Sequence, residues 1–203
     1  MIRLNYILKE REELTIIVNF LGQPCSGKST AAVKLYSELK ELGINTEYSP
    51  EVVKVWCHTG QRVTKYDQYY LFGSEVYQQS RLFNSVDIIV SDSSPILATF
   101  YNYYYYNKED NSLAFACKEF YKKVDEDGIK VLNFFLPRTR EYITKGRYQT
   151  EQEADKLALD LREWLDTEGY PYYYLDCPDN ERINVVMNKL KEMTGDFNGM
   201  SMV

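Results

Sequence analysis

The sequence predicts an α/β fold, a five-stranded parallel sheet with helices on both faces and a lid segment. Three observations predict it. Apolar runs that read as buried strands alternate with stretches whose apolar residues recur at spacings of 3 and 4. A glycine loop, Gly22-Gln23-Pro24-Cys25-Ser26-Gly27-Lys28-Ser29, joins the first strand to the first helix. After the fourth strand, residues 138–147 carry four cations in ten positions.

The elements follow in order. An apolar run over 14–20 is the first strand. Ala32, Leu35, Leu39 and Leu42 then place one face of a helix over 30–42, closed by Gly43. A short strand covers 44–48, and Pro50 opens a helical stretch over 51–57. Residues 58–65 read as a loop and 66–83 as a long helix. The continuous apolar run 86–90 is the third strand, ending at Ser91-Asp92-Ser93-Ser94. A helix over 111–124 and a buried strand over 129–136 lead into the basic lid, about 138–150. Ala154, Leu157, Leu161 and Trp164 mark a helix over 150–168. The last strand is 172–175, the last helix 179–193, and 195–203 reads as a loose tail. No internal repeat or linker interrupts the pattern, so 1–203 reads as one domain.

Strand, glycine loop and helix in succession are the context that a phosphate-binding loop needs. Gly22 and Gly27 reach backbone dihedrals closed to other residues. The amides from Gly22 to Thr30 can then turn around an anion at the positive end of the helix. In this arrangement Gly22, Gln23, Pro24, Cys25, Ser26, Gly27, Lys28, Ser29 and Thr30 hold the nucleotide. Lys28 reaches its β and γ phosphates, and Ser29 binds Mg²⁺. The fold class is therefore a P-loop NTPase, with ATP and Mg²⁺ as the expected cofactors.

Composition narrows the setting. No apolar stretch approaches 18 residues, and the charged segment Met1 to Glu13 lacks a signal-peptide core, so an intracellular, cytoplasmic protein is expected. Four scattered cysteines read as free thiols. The net charge of −6 disfavours DNA as a partner unless a local basic patch supplies one. Nineteen tyrosines, with a run at 103–106, read as half-buried packing. One histidine, His58, is too few for a histidine-based metal site or triad.

A triphosphate site that transfers phosphate needs a carboxylate beside the acceptor hydroxyl and cations over the moving charge. Asp92 ends the third strand at the carboxyl edge of the sheet, where open α/β folds bind ligands. There it can hold Mg²⁺ or act on the hydroxyl, or else cap the turn that follows. Glu51, after the second strand, is the second candidate base. Trp56 and Tyr69 could wall an acceptor ring, and Gln68 could read its polar edge. Arg138 and Arg147 are the lid residues expected to close over phosphate.

These landmarks resemble small-molecule P-loop kinases. Over about 15–193 the chain is similar to the ribosylnicotinamide kinase domain of bacterial NAD-biosynthesis regulators and phage-encoded relatives. That family often has an arginine where this chain has Pro50. A second, partial resemblance is to deoxynucleoside kinases, which place a tryptophan five residues after their glutamate base, as Glu51 and Trp56 are placed. They also read the base with a glutamine near the Gln68 position. They carry an acidic-Arg-Ser motif after the third strand; Asp92-Ser93 lacks the arginine. Both resemblances imply transfer of the γ phosphate to a hydroxyl of a nucleoside or nucleotide. Two other readings stay open: a phage-type kinase of hydroxymethylated bases in DNA, and a non-catalytic ATP-binding switch.

Overall fold

The computed structural model describes residues 15–106 and 108–201. Leu14 and the segment Met1 to Glu13 lie outside them, as do the last two residues of the tail.

Five strands form one parallel sheet: β1 (Ile16–Leu21), β2 (Thr46–Ser49), β3 (Ile88–Ser91), β4 (Lys130–Phe135) and β5 (Tyr173–Tyr174), in the order β2-β3-β1-β4-β5. Ile16 pairs with Ile88 on one side and Lys130 on the other, which centres β1. Seven helices join the strands among the described residues: α1 (Lys28–Glu41), α2 (Val53–Thr59), α3 (Asp67–Ser80), α4 (Pro95–Tyr105), α5 (Ser112–Glu126), α6 (Glu151–Glu168) and α7 (Arg182–Thr194).

Alternation along β1 divides the core. Ile16, Val18 and Phe20 pack with Leu35 and Leu39 of α1 and Val186 and Leu190 of α7. On the other face Leu21 joins Phe100 of α4 and Leu161 and Trp164 of α6, while Ile17 meets Val124 of α5. Each such side chain gains about 1.5–3 kcal/mol on burial. Strands covered on both faces therefore read as continuous apolar runs, as β1 and β3 do.

Four differences from the sequence expectation stand out. The stretch after Asp92 is a helix, α4, where no element was expected. Ser94 caps it by accepting from the Ile96 amide at 3.2 Å, and Pro95 takes the first turn. The tyrosines mask it, because apolar residues occupy every face of this helix: Pro95 to Phe100 and Asn102 are all buried. The second helical stretch starts later, at Val53, and buries no residue. The last strand is only Tyr173–Tyr174, both exposed at the sheet edge. The tail is not loose over 195–201: Phe197 and Met200 pack on the core, and the Asn45 amide donates to the Ser201 carbonyl at 2.9 Å.

Candidate active site

The parallel sheet ends β1, β2 and β3 at one edge, and the loops beyond them line a cleft of about 730 Å³. That volume falls within the range of small-ligand sites. The phosphate loop forms one wall. Gly22 has φ 137° and Gly27 φ 93°, and Cys25 between them has φ 64°. A Cβ on Gly22 would stand 2.5 Å from the Leu136 carbonyl oxygen, so the loop passes too close to β4's end for any side chain there. The Lys28 ammonium donates to the Gly22 and Gln23 carbonyls at 2.9 and 3.1 Å. The hydroxyl of Ser26 and the side-chain amide oxygen of Gln23, Oε1, are buried without a hydrogen-bond partner.

The structure brings Glu51 and Asp92 to this loop. The Glu51 amide donates to Asp92 Oδ1 at 2.8 Å, which ties the end of β2 to the end of β3. Asp92 is almost fully buried, whereas Ser94, not Asp92, caps α4. Tyr48 of β2 sits against the same carboxylate, and its hydroxyl titrates above its ordinary range through burial first and Asp92 second. Burial raises the Glu51 carboxyl above its usual value, with Lys28 opposing and Asp92 adding to the rise. Burial likewise lowers the Lys28 ammonium, while Glu51 and Asp92 hold it up. One ammonium thus balances two carboxyl groups where charge is most costly.

Sequence reasoning missed several groups. Lys54, in the first turn of α2 and three residues after Glu51, donates to Ser29 Oγ at 2.9 Å and lines the cleft. Arg182, only 2% exposed, donates to the Ser26 carbonyl at 2.9 Å and the Pro137 carbonyl at 2.6 Å. It also pairs with Asp179 at 2.8 Å, and so clamps the phosphate loop to α7. The sequence does not show this clamp, because the carbonyls it binds, Ser26 and Pro137, belong to distant segments.

The lid divides its cations between two tasks. Arg147 lines the cleft and donates to Cys25 Sγ at 3.4 Å, and the Cys25 thiol donates to the Ile143 carbonyl at 3.3 Å. Arg140 also lines the cleft, over Gly27, where a Cβ would come within 3.4 Å of its guanidinium. Arg138 does not reach the cleft. It donates to Glu151 and Asp155 of α6, each at 2.6 Å, and sits over the Tyr142 ring. Across the cleft the lid meets α4 and the segment after α2: Gln149 donates to the Tyr105 hydroxyl at 2.9 Å, and Tyr148 donates to the Gln61 carbonyl.

The expected acceptor residues separate in the same way. Gln68 lines the cleft. Trp56 instead stacks on Tyr70, rings 5.7 Å apart, outside it. Tyr69 is exposed and bonds Ser112 at 2.9 Å. The aromatic wall of the cleft comes from Tyr101, Tyr104 and Tyr105 of α4 and from Tyr106, which follows it. All four cysteines are free. Among the described residues no helix is long and apolar enough to cross a membrane, and no cluster of three or more His, Cys, Asp or Glu gathers as a metal site.

A five-stranded parallel sheet whose first strand feeds a glycine loop and a helix defines a P-loop NTPase-like α/β protein. Comparison with protein families agrees: residues 17–182 match the AAA domain, and the chain belongs to that family. No curated protein matches. Among solved structures, a NadR protein in complex with NR superposes with TM-score 0.67 at 20% identity, over 90% of this chain and 52% of that one. A second NadR structure, in complex with NAD and AMP-PNP, gives 0.65 at 18% identity. This chain therefore spans about half the length of the NadR chains it matches. Deoxyadenosine kinase from M. mycoides, with dCMP and dCDP, gives 0.55 at 16% identity, over 87% of this chain and 99% of that one. These likenesses establish a common fold, and they fall in the two groups that the sequence resembles.

Proposed function

We propose that the protein is an ATP-dependent kinase that transfers the γ phosphate to a hydroxyl of a nucleoside or nucleotide, with a ribosylnicotinamide- or deoxynucleoside-like acceptor. One observation carries the reading. Two carboxyl groups act on the Lys28 ammonium at the phosphate loop, Glu51 lining the cleft and Asp92 buried against the Glu51 amide, and the cleft continues into a tyrosine-walled space. A motor or switch needs the phosphate site alone; an acceptor-sized extension fits a transferase. The names of the structural neighbours, a deoxyadenosine kinase and a protein bound to NR, agree with it.

The unpartnered Ser26 hydroxyl, the left-handed turns and the Lys28 ammonium fit a triphosphate. Mg²⁺, held by Ser29 and Asp92, would supply charge neutralisation between the phosphates. Glu51 takes the proton from the acceptor hydroxyl. The acceptor oxygen forms its bond to the γ phosphorus as the bond from that phosphorus to the β-bridging oxygen breaks, and ADP leaves with the electron pair. Lys28, Arg147 and Arg140 cover the negative charge in transfer. Arg138 positions the lid from its anchor on α6.

The test is a panel of nucleosides and nucleotides incubated with ATP and Mg²⁺, scored for a phosphorylated product. Product from at least one acceptor, abolished in Lys28→Ala, is the expected result. ATP turnover unchanged by every acceptor overturns it.

A further inference from the structure

The buried face of α3 is polar. Its buried side chains are Gln68, Leu71, Glu75 and Gln79. Gln79 is bound into the sheet, donating to Asn19 Oδ1 at 2.9 Å. Gln68 and Glu75 instead line the cleft. Gln68 Oε1 and Glu75 Oε2 are both buried without a hydrogen-bond partner, on residues only 4% and 3% exposed. Unpartnered buried polar atoms are costly and rare in a folded protein. Two of them beside one cavity mark groups that a ligand satisfies.

Their spacing says how the ligand lies. Seven residues of helix rise about 10.5 Å, so the two side chains share a face and stand two turns apart. That separation is too long for one ring edge and suits a molecule the length of a nucleoside. Glu75 stands at the reaction end, against Ser93 and within the influence of Glu51 and Asp92. Gln68 stands at the far end, beside Tyr106. Tyr101 and Tyr105 of α4 line the cleft with them.

We propose that Glu75 is a specificity-determining residue of the acceptor site: it hydrogen-bonds a secondary hydroxyl of the acceptor's sugar, while the ring extends along α3 to Gln68. This deepens the kinase reading and rests on it for the direction in which the acceptor lies. The chemical class it selects is a heteroaromatic glycoside with an intact sugar diol or single secondary hydroxyl, in preference to a dideoxy sugar. A carboxyl group recognises a hydroxyl whether it donates or accepts.

The experiment measures binding and turnover separately. Adenosine and cytidine, with their 2′-deoxy, 3′-deoxy and 2′,3′-dideoxy forms, are titrated into the protein with Mg²⁺ and a non-hydrolysable ATP analogue. All retain the 5′-hydroxyl. The same compounds are then assayed with ATP. Wild type is expected to bind a hydroxyl-bearing form at least tenfold more tightly than the dideoxy form. Glu75→Leu should reduce that ratio to threefold or less, with affinity for the ATP analogue unchanged. Glu75→Gln, which keeps a hydrogen-bonding group, should retain the ratio. Gln68→Leu should keep the sugar ratio and alter the order of the bases. An unchanged sugar ratio in Glu75→Leu overturns the proposal, as does wild type that binds the ATP analogue and no nucleoside. Nucleosides that bind with the expected ratio yet gain no phosphate would overturn the kinase reading and leave the assignment of Glu75 standing.

Discussion

Glu75 is a carboxyl group where a folded protein seldom keeps one. Burial first, and then the nearby Glu51 and Asp92, push it up to about 8, against a hydrogen bond from Ser93 that draws it down. The phenols of Tyr48 on β2 and Tyr121 on α5 feel its charge as well. The unfolded chain ionises this group near its ordinary value of 4.5, while the folded chain holds its proton up to about 8. Its proton linkage therefore favours the fold most at low pH, and that support is lost as pH rises through this window. Glu75→Gln should make the protein more stable than wild type at pH 8, by on the order of 3 kcal/mol, with the gap closing near pH 4. Urea denaturation at the two pH values reads this directly. An equal gap at both would show that packing, not charge, sets the effect. Gly22 makes a second case at this scale. Gly22→Ala forces a Cβ to 2.5 Å from a backbone oxygen at φ 137°. It should cost about 2 kcal/mol or more and weaken ATP-analogue binding, measurable by denaturation and calorimetry.

The elements around the cleft divide the work of the basic segment. Arg147 and Arg140 reach the cleft, while Arg138 is bound by the first two turns of α6, whose capping box of Thr150 and Glu153 fixes where that helix begins. Arg147→Ala should therefore lower kcat about a hundredfold or more. Arg138→Ala should act mainly through lid order, with a smaller loss of kcat and a higher KM for ATP. Steady-state kinetics on both variants separates the two roles. Arg182 ties α7 to the phosphate loop through one hydrogen bond to the Ser26 carbonyl and to the segment after β4 through two more, to the Pro137 carbonyl and the Thr139 hydroxyl, with an ion pair to Asp179. Arg182→Met leaves two loop carbonyls and Asp179 without that partner, and should cost about 3 kcal/mol in urea denaturation.

Legibility differed between elements for definite reasons. β1, the glycine loop and α1 could be read because a buried strand, two glycines and apolar spacing each leave a local mark. α4 could not, since its first six residues are buried on every face and leave no periodicity. α3 could be read as a helix, yet its orientation could not. Tyr70 and Tyr77 of α3, and Tyr66 at its N-cap, face solvent, while Gln68, Glu75 and Gln79 face inward. The usual assignment of apolar residues to the inside fails there because Gln68 and Glu75 line the cleft and Gln79 binds Asn19 of the sheet.

For the whole molecule, the balance of Lys28 against Glu51 and Asp92 sets the expected pH behaviour of transfer. Glu51 must lose its proton to act as base, and burial raises the pH at which it does so. Lys28 must keep its proton, and burial lowers the pH at which that is lost. Activity should rise on the acid side and fall on the basic side, a bell narrower than free carboxylate and ammonium groups would produce. A kcat/KM profile that loses its acid limb in Glu51→Gln along with most of its activity would be the expected signature.

The amino-acid order alone determined the alternation of strands and helices, the phosphate loop and the carboxylates at two strand ends, because each rests on contacts between near neighbours in the chain. Only the tertiary structure decided which side chains meet in the cleft. The Arg182 clamp, the lid's contacts with the segment after α2, the inward turn of Gln68 and Glu75, and the outward turn of Trp56 and Tyr69 all depend on segments far apart in sequence. Burial, which shifts the Glu51 and Glu75 carboxyl groups and leaves Gln68 Oε1 and Glu75 Oε2 without a partner, exists only once those segments close over one another.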